Sequence, residues 1–300
     1  MVLVAAKSAS SPPRRQSKTG AVLCPSGTGK QEYGYIEVSQ LHRLFYTSIQ
    51  ADGNPTTAPT FLFIRGGPGE SSIGSALQVN GPCIMDLVTK RLIKNEFSWT
   101  RRVNGIWVDA PVPTGFSIGP VESGWENLIQ DLIDFVNEFF KQHPNLNRDV
   151  HFVGTSASAS MVVEVASRII KSPSVSINNL VGLMIFSGVV GPQAVYRGCL
   201  QMANDRQLLP QKTYDIRVAP GKESTLFKLH AGKIDGFLNT KSVQDALGVS
   251  KVWKEISEEV FDVFGEYVAY DTTYQVTNLL DAGLKVSNLD MPDTKHQILP

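Results

Sequence analysis

The chain has 300 residues, of which 42% are hydrophobic and 19% charged, so it has enough apolar material to bury a sizeable core. Its 28 basic residues balance its 28 acidic ones, and this charge favours neither nucleic acid nor an anionic membrane as a partner. No apolar run approaches the ~18 residues that span a bilayer. The composition is compatible with a small or peptide-like substrate.

Residues 1–30 are predicted to form a flexible leader, because they are rich in Ser, Pro, Gly and basic residues and show no apolar periodicity. The folded domain is expected over 31–300. The apolar stretch from Val2 to Ala6 is shorter than the ~7 to 15 residues of a signal-peptide core. No clear secretion signal is therefore present, and the compartment stays open.

Three widely spaced cysteines, Cys24, Cys83 and Cys199, allow at most one internal disulfide and leave one thiol free. Disulfide frameworks belong to oxidising compartments, so we favour three reduced structural cysteines. Their spacing is not that of a metal site. We expect no metal and no cofactor.

A short apolar run, Phe61 to Ile64, is predicted to be a buried strand, and a glycine-rich loop over 65–72 follows it directly. In acyl-transfer hydrolases, such a loop supplies a backbone N–H to the oxyanion. The alternatives are a phosphate-binding loop, for which no Gly-x-x-x-x-Gly-Lys pattern fits, or a simple connector.

The next apolar run, Ile106 to Val108, is a second strand candidate, and a long helix is expected after it. Apolar residues recur at helical spacing from Trp125 to Phe139 until Pro144 stops the pattern. Ser123 is followed three residues later by Glu126, which predicts a capping box at the start of this helix.

A third strand candidate, Val150 to Val153, leads through a tight turn of small residues into a helical pattern from Met161 to Ile169. The turn contains Ser156, and an elbow of this kind holds a serine hydroxyl out of the sheet. Ser158 replaces the second glycine of the usual elbow. The alternative is plain packing of a strand against a helix.

A fourth strand candidate, Leu183 to Phe186, precedes a polar, irregular stretch over 200–233, and apolar periodicity returns from Val243 to Leu247. Alternating strands and helices predict an α/β fold with a mostly parallel sheet. In such a fold, the active-site loops lie at the carboxyl ends of the strands.

At this point the motifs resemble the serine carboxypeptidases, which carry Asn-Gly-Gly-Pro-Gly-Cys-Ser-Ser after such a strand and Gly-Glu-Ser-Tyr-Ala-Gly at the elbow. The order and the context agree, and the resemblance spans roughly 30–286. Further matching segments are Gly34–Val38, Leu44–Tyr46, Asn80–Pro82, Asn95–Trp99, Val108–Ser117, Phe237–Asn239, Val243–Val249 and Leu279–Val286.

The resemblance implies an α/β-hydrolase-like domain with flanking helices, a cap insertion shortened to 199–236 and missing C-terminal strands. It further implies that Ser156 attacks the carbonyl of a peptide with a free C-terminus. Gly66 or Gly67, together with Ala157, would supply the oxyanion N–H groups.

Three of the departures from the family pattern lie at positions that matter for the site. Arg65 stands where the family has asparagine, Thr155 where it has the elbow glutamate, and Ala157 where it has tyrosine. In the family, that asparagine and glutamate help to bind the substrate carboxylate. Thr155 lacks the donor geometry of a protonated carboxyl, whereas Arg65 offers a bidentate fork for a carboxylate.

The triad order Ser, Asp, His requires an acid after the strand at Leu284 and a histidine beyond it. His296 is the one histidine downstream, and the residues around it lack the Gly-His context of the family, which favours a solvated tail. The other histidines have plainer roles as well: His42 precedes a strand, His143 ends a helix, His151 lies in a strand and His230 in the insertion.

Two hypotheses remain, with a family acyltransferase as a weaker third. The chain is a serine carboxypeptidase-type hydrolase, or it is a truncated, inactive relative that acts as a binding or vestigial protein. The family is commonly lysosomal, vacuolar or secreted.

Overall fold

The structure, a computed structural model, describes residues 18–19, 23–24, 29–86, 88–172, 177, 179–207, 234–265, 267 and 270–289. Ten strands and seven α-helices have defined bounds among these residues. The strands are β1 (Lys18–Thr19), β2 (Gln31–Glu37), β3 (Arg43–Ile49), β4 (Thr60–Ile64), β5 (Cys83–Met85), β6 (Leu92–Lys94), β7 (Asn104–Asp109), β8 (Val150–Thr155), β9 (Leu180–Phe186) and β10 (Lys285–Leu289). The helices are α1 (Ser72–Gln78), α2 (Trp125–Gln142), α3 (Ser158–Lys171), α4 (Pro192–Asp205), α5 (Lys241–Leu247), α6 (Glu258–Phe264) and α7 (Thr273–Asp281).

Eight of the strands form one sheet in the order β1-β2-β3-β7-β4-β8-β9-β10, and β5 and β6 form a separate hairpin. The pairs from β1 to β7 are antiparallel, and the pairs from β7 to β10 are parallel. Leu62 at the centre pairs with Ile106 on one side and Phe152 on the other. This is the mostly parallel α/β sheet that the sequence predicts, and the carboxyl ends of β4, β7, β8 and β9 meet at one edge.

The two faces of the sheet bury different side chains, because successive residues of a strand point in opposite directions. Leu62 and Phe152 belong to the core that α2 and α3 cover. Phe61 and Trp107 belong to a smaller cluster on the other face. A cavity of about 430 Å³ lies at this second face, and its lining is Pro59, Thr60, Phe61, Trp99, Val103, His151, Met184, Phe186 and Leu289.

The four strand candidates are confirmed as parts of β4, β7, β8 and β9, and the two helical patterns as α2 and α3. The prediction of a capping box at the start of α2 is wrong. The helix α2 begins after Gly124, which has a φ of 159° and provides no side-chain cap. The Ser123 hydroxyl instead accepts a hydrogen bond from Asn127, and the Glu126 carboxylate pairs with Arg168 of α3. The Glu126 side chain therefore forms an ion pair between two helices and does not cap its own helix.

The N-terminal segment contacts the domain at the points where it is described. Most of the predicted leader over 1–30 lies outside the described residues, but β1 pairs with β2, and Cys24 is fully buried. Cys24 forms a disulfide with Cys83, so the expectation of three reduced cysteines is wrong. The sequence alone left the pairing open because it does not show that the two residues approach to a Cα–Cα distance of 5.6 Å. Cys199 is free and exposed.

The predicted cap insertion over 199–236 lies largely outside the described residues, apart from the end of α4 and a helical turn over 234–238. β10 is the last described strand, and the residues after 289 lie outside the described part, so the absence of further strands stays a prediction. Among the described helices, none combines the length and the apolar content needed to cross a membrane.

The disulfide closes a loop of 59 residues, and this gives a stability prediction. Replacing Cys83 by serine frees the denatured chain of this constraint, so we expect Cys83→Ser to lower the free energy of unfolding by about 2 to 4 kcal/mol. Urea denaturation followed by tryptophan fluorescence measures the change. Cys199→Ser is the control, and we expect it to shift stability by less than about 0.5 kcal/mol because the residue is exposed. Equal stability of the parent chain with and without a reductant would contradict the prediction.

Candidate active site

Ser156 lies at the tip of the turn between β8 and α3, where its side chain is exposed. Its φ of 51° is in the left-handed region, which residues other than glycine rarely adopt. Backbone hydrogen bonds hold this conformation: the Ser156 N–H donates to the carbonyl of Phe186 at 3.0 Å, and its carbonyl accepts from Val189 at 3.2 Å. Neighbouring strand ends therefore support a strained serine whose hydroxyl faces solvent.

Small residues allow β8 and α3 to approach closely around this turn. A methyl group added to Gly154 would lie 2.6 Å from Cγ2 of Val162. Ser158, in the place of the usual second glycine, is fully buried, and its hydroxyl donates to the carbonyl of Ile64 at 2.6 Å and accepts from the Thr155 N–H at 2.9 Å. Its side chain therefore joins the end of β4 to the end of β8.

The glycine-rich loop after β4 packs directly against the elbow. A methyl group added to Gly66 would lie 2.7 Å from the carbonyl oxygen of Thr155 and 2.8 Å from Cβ of Ser156. The Gly66 N–H donates to Oγ1 of Thr155 at 3.0 Å. The structure thus brings Gly66, Thr155 and Ser156 together. The Gly66 N–H is already hydrogen-bonded to the Thr155 side chain, so it is not free to bind an oxyanion.

Two other backbone N–H groups, those of the residues that follow Gly66 and Ser156 in the sequence, are open. Those of Gly67 and Ala157 donate to no acceptor within the described part of the chain. Gly67 has a φ of 109°, which favours glycine. Ala157 follows Ser156 at the start of α3, where backbone N–H groups and the helix dipole favour negative charge.

The guanidinium of Arg65 is held by two carboxylates. Its Nε lies 2.8 Å from Oε2 of Glu70, and its Nη1 contacts Oε1 of Glu255. Glu255 also accepts a hydrogen bond from Gln78 at 3.3 Å. The Arg65 side chain is only 11% exposed. Burial raises the pKa of Glu255 to about 7, although the positive charge of Arg65 opposes the rise.

Asp109, at the end of β7, joins the glycine-rich loop to the loop that follows β7. Its carboxylate accepts hydrogen bonds from the Ser71 hydroxyl at 2.7 Å and from the backbone N–H groups of Ile73 and Phe116. Trp253 donates to the same Ser71 hydroxyl at 2.9 Å. Burial raises the pKa of Asp109, and these hydrogen bonds oppose the rise. Asp109 had no predicted role, although it lies in the matching segment Val108–Ser117, directly after a predicted buried strand.

No histidine within the described residues contacts Ser156. His42 pairs with Asp131, and His143 caps α2 and pairs with Glu32. His151 in β8 hydrogen-bonds to the carbonyl of Asp149. The candidate base His296, as well as His230, lies outside the described residues, as does Asp290, the residue directly after β10.

Three comparisons connect this geometry with known proteins. The serine carboxypeptidase family model matches residues 25–224. Serine carboxypeptidase-like 48 of Arabidopsis thaliana is 32% identical over 61% of the chain, and Carboxypeptidase Y of Schizosaccharomyces pombe is 26% identical over 86% of the chain. The chain spans only 37% and 33% of the lengths of these two relatives.

A solved structure supports the fold. Kex1(delta)p, a prohormone-processing carboxypeptidase from Saccharomyces cerevisiae, superimposes with a TM-score of 0.77 at 18% identity. The match covers 93% of this chain and 78% of the other. The sheet order, the serine elbow against the glycine-rich loop and the family match over two thirds of the sequence lead to one assignment: this chain belongs to the serine carboxypeptidase family.

Proposed function

We propose that the chain is a serine carboxypeptidase-type hydrolase in which Ser156 attacks the carbonyl carbon that precedes the C-terminal residue of a peptide. The observation that carries this proposal is the exposed Ser156 at a left-handed φ, packed against the glycine-rich loop. A strained backbone at this turn aims a hydroxyl at a substrate, whereas a simple strand-to-helix connector needs no such strain.

The oxyanion that forms on the attacked carbonyl would accept hydrogen bonds from Gly67 and Ala157. The sequence left Gly66 and Gly67 as alternatives, and the contact of the Gly66 N–H with Thr155 favours Gly67. An oxyanion hole needs two N–H donors, and this proposal takes one from the glycine-rich loop that packs against the elbow and one from the residue after the nucleophile.

Arg65 would bind the C-terminal carboxylate of the peptide, as the resemblance implies, but its carboxylate partners oppose this role. When Glu255 is ionised, Arg65 faces two negative charges and has little attraction left for a third. Protonation of Glu255 near pH 7 removes one of them. Substrate binding through Arg65 is therefore favoured below neutral pH. Thr155, already bonded to Gly66, would support the loop rather than the substrate.

The general base is the point that separates the hydrolase from its alternative, an inactive relative. The alternative is favoured by one observation, that His42, His143 and His151 all have other partners. Loss of a triad base costs on the order of a millionfold in turnover. The proposal therefore requires a base outside the described residues, for which His296 is the candidate in triad order.

A fluorophosphonate probe tests whether Ser156 is activated. We expect the probe to label the folded chain at Ser156, because the reagent reacts with a serine whose hydroxyl is deprotonated by a base. We expect Ser156→Ala to abolish this labelling. His296→Ala should lower labelling strongly if His296 is that base. Intact-mass spectrometry and peptide mapping provide the measurement.

The matched control is Ser187→Ala. Ser187 is an exposed serine with a φ of 44° directly after β9, so it shares the left-handed backbone of Ser156. It does not belong to the elbow that packs against the glycine-rich loop. We expect its replacement to leave labelling unchanged. Absence of labelling on the folded parent chain would contradict the hydrolase and leave the inactive relative.

The raised pKa of Glu255 gives a second prediction, on stability. Its pKa is about 7 in the folded chain against an ordinary value of 4.5, so the folded state holds the proton more tightly. The resulting stability is full below pH 4.5 and is lost as the pH rises through 7. We expect the parent chain to lose stability relative to Glu255→Gln between about pH 5 and 7, by at most about 1.4 kcal/mol per pH unit.

Urea denaturation at a series of pH values measures this difference. Glu258→Gln serves as the control, because Glu258 is exposed on the neighbouring helix α6. The difference between the parent and the control variant should stay flat over the same range. A flat difference for Glu255→Gln as well would show that Glu255 ionises normally.

A further inference from the structure

Three side chains of metal-binding type meet at one point, away from the serine elbow. His42 comes from the turn between β2 and β3, Glu122 from the segment before α2, and Asp131 from the second turn of α2. One ligand atom of each lies within 4.8 Å of the other two. The three residues are far apart in sequence, so no local spacing motif reveals them.

The cluster holds two carboxyl groups but little compensating charge. Glu122 is 2% exposed, and the Asp131 side chain 9%. In the described part of the chain, neither group pairs with a lysine or an arginine. Among the described residues, the basic group that approaches them is His42, whose Nδ1 lies 2.5 Å from Oδ2 of Asp131. Asp134, one turn further along α2, adds negative charge next to Asp131.

Glu122 has an unsatisfied oxygen. Its Oε1 accepts the backbone N–H of Val112 at 3.0 Å, while its Oε2 is buried without a hydrogen-bond partner among the described residues. A buried polar atom without a hydrogen-bond partner destabilises the folded state, so such atoms call for an explanation.

The backbone around His42 is fixed by the fold. The His42 carbonyl accepts from the Val38 N–H at 3.1 Å, and the His42 N–H donates to the Ser39 hydroxyl at 3.1 Å. The next residue, Arg43, exchanges two backbone hydrogen bonds of 2.9 Å with Ile118. The imidazole is thus presented to the two acids on a preformed turn.

We infer that His42, Glu122 and Asp131 form a binding site for a divalent transition-metal ion of the Zn²⁺ class. One imidazole nitrogen and two carboxylate oxygens suit Zn²⁺, which commonly takes three protein ligands and a water. Ca²⁺ and Mg²⁺ are disfavoured because they prefer oxygen ligands alone. The three ligand atoms already lie within 4.8 Å of one another, so side-chain adjustments would bring them to the ~2.0 to 2.2 Å of zinc bonds.

The bound ion would neutralise both carboxylates and give Glu122 Oε2 a partner. It would also join the β2–β3 turn to α2 and to the loop after β7, so its role is structural. The site does not depend on the proposed hydrolase activity, since none of its ligands contacts Ser156.

The test is a Zn²⁺ titration of the full, tag-free chain after chelator treatment, in a Cys199→Ser background that removes the exposed free thiol. Competition with a chromogenic chelator reports affinity and stoichiometry. We expect one equivalent to bind and to raise the unfolding temperature. His42→Ala and the isosteric Glu122→Gln should each weaken binding by at least about tenfold.

The matched control is His143→Ala, which removes a histidine that pairs with a single carboxylate, Glu32, at the other end of α2. Its Zn²⁺ affinity should equal that of the parent. Co²⁺ spectra of the unmutated cluster keep the test valid if a variant misfolds, because bound Co²⁺ should show visible bands of nitrogen and oxygen ligation that Zn²⁺ removes. No binding by the folded parent, or unchanged affinity in Glu122→Gln, would overturn the inference.

Discussion

The close approach of the glycine-rich loop to the serine elbow is the constraint on which the site depends. There is no space for a methyl group at Gly66, because the carbonyl of Thr155 and the Cβ of Ser156 fill it. The buried Ser158 hydroxyl joins the ends of β4 and β8 from below. With both segments fixed in this way, the left-handed turn at Ser156 is held against the glycine-rich loop.

The sequence predicts the parts of this arrangement that depend on local patterns. Apolar runs bounded by Gly, Pro or Asn define the parallel strands β4, β7, β8 and β9, because strands buried on both faces have no polar alternation. Small residues around Ser156 predict the elbow, because only they fit where β8 and α3 meet closely. Motif order then places the loop and the elbow in one family, and the sheet topology agrees.

Features that depend on contacts between distant segments were beyond the sequence. Glu126 lies in the first turn of its own helix, as a capping box requires, but its carboxylate pairs with Arg168 of α3, and Gly124 at the cap position has no side chain. Cys24 meets Cys83 only once β2 and the hairpin of β5 are in place. The cluster of His42, Glu122 and Asp131 likewise exists only after the turn before β3 packs on α2.

The substitutions in the glycine-rich loop are physically coupled. Where the family has asparagine and cysteine, this chain has Arg65 and Glu70, and these two side chains pair with each other. Glu255 completes the cluster from the segment that bridges to the same loop through Glu70 and Ile256. A buried guanidinium needs such partners, since an unpaired buried charge is strongly destabilising. Ion pairs of Arg65 therefore help to hold the loop in its position against Ser156. A folded elbow thus supports the placement of Ser156, while activation of its hydroxyl is a separate chemical property that depends on a base.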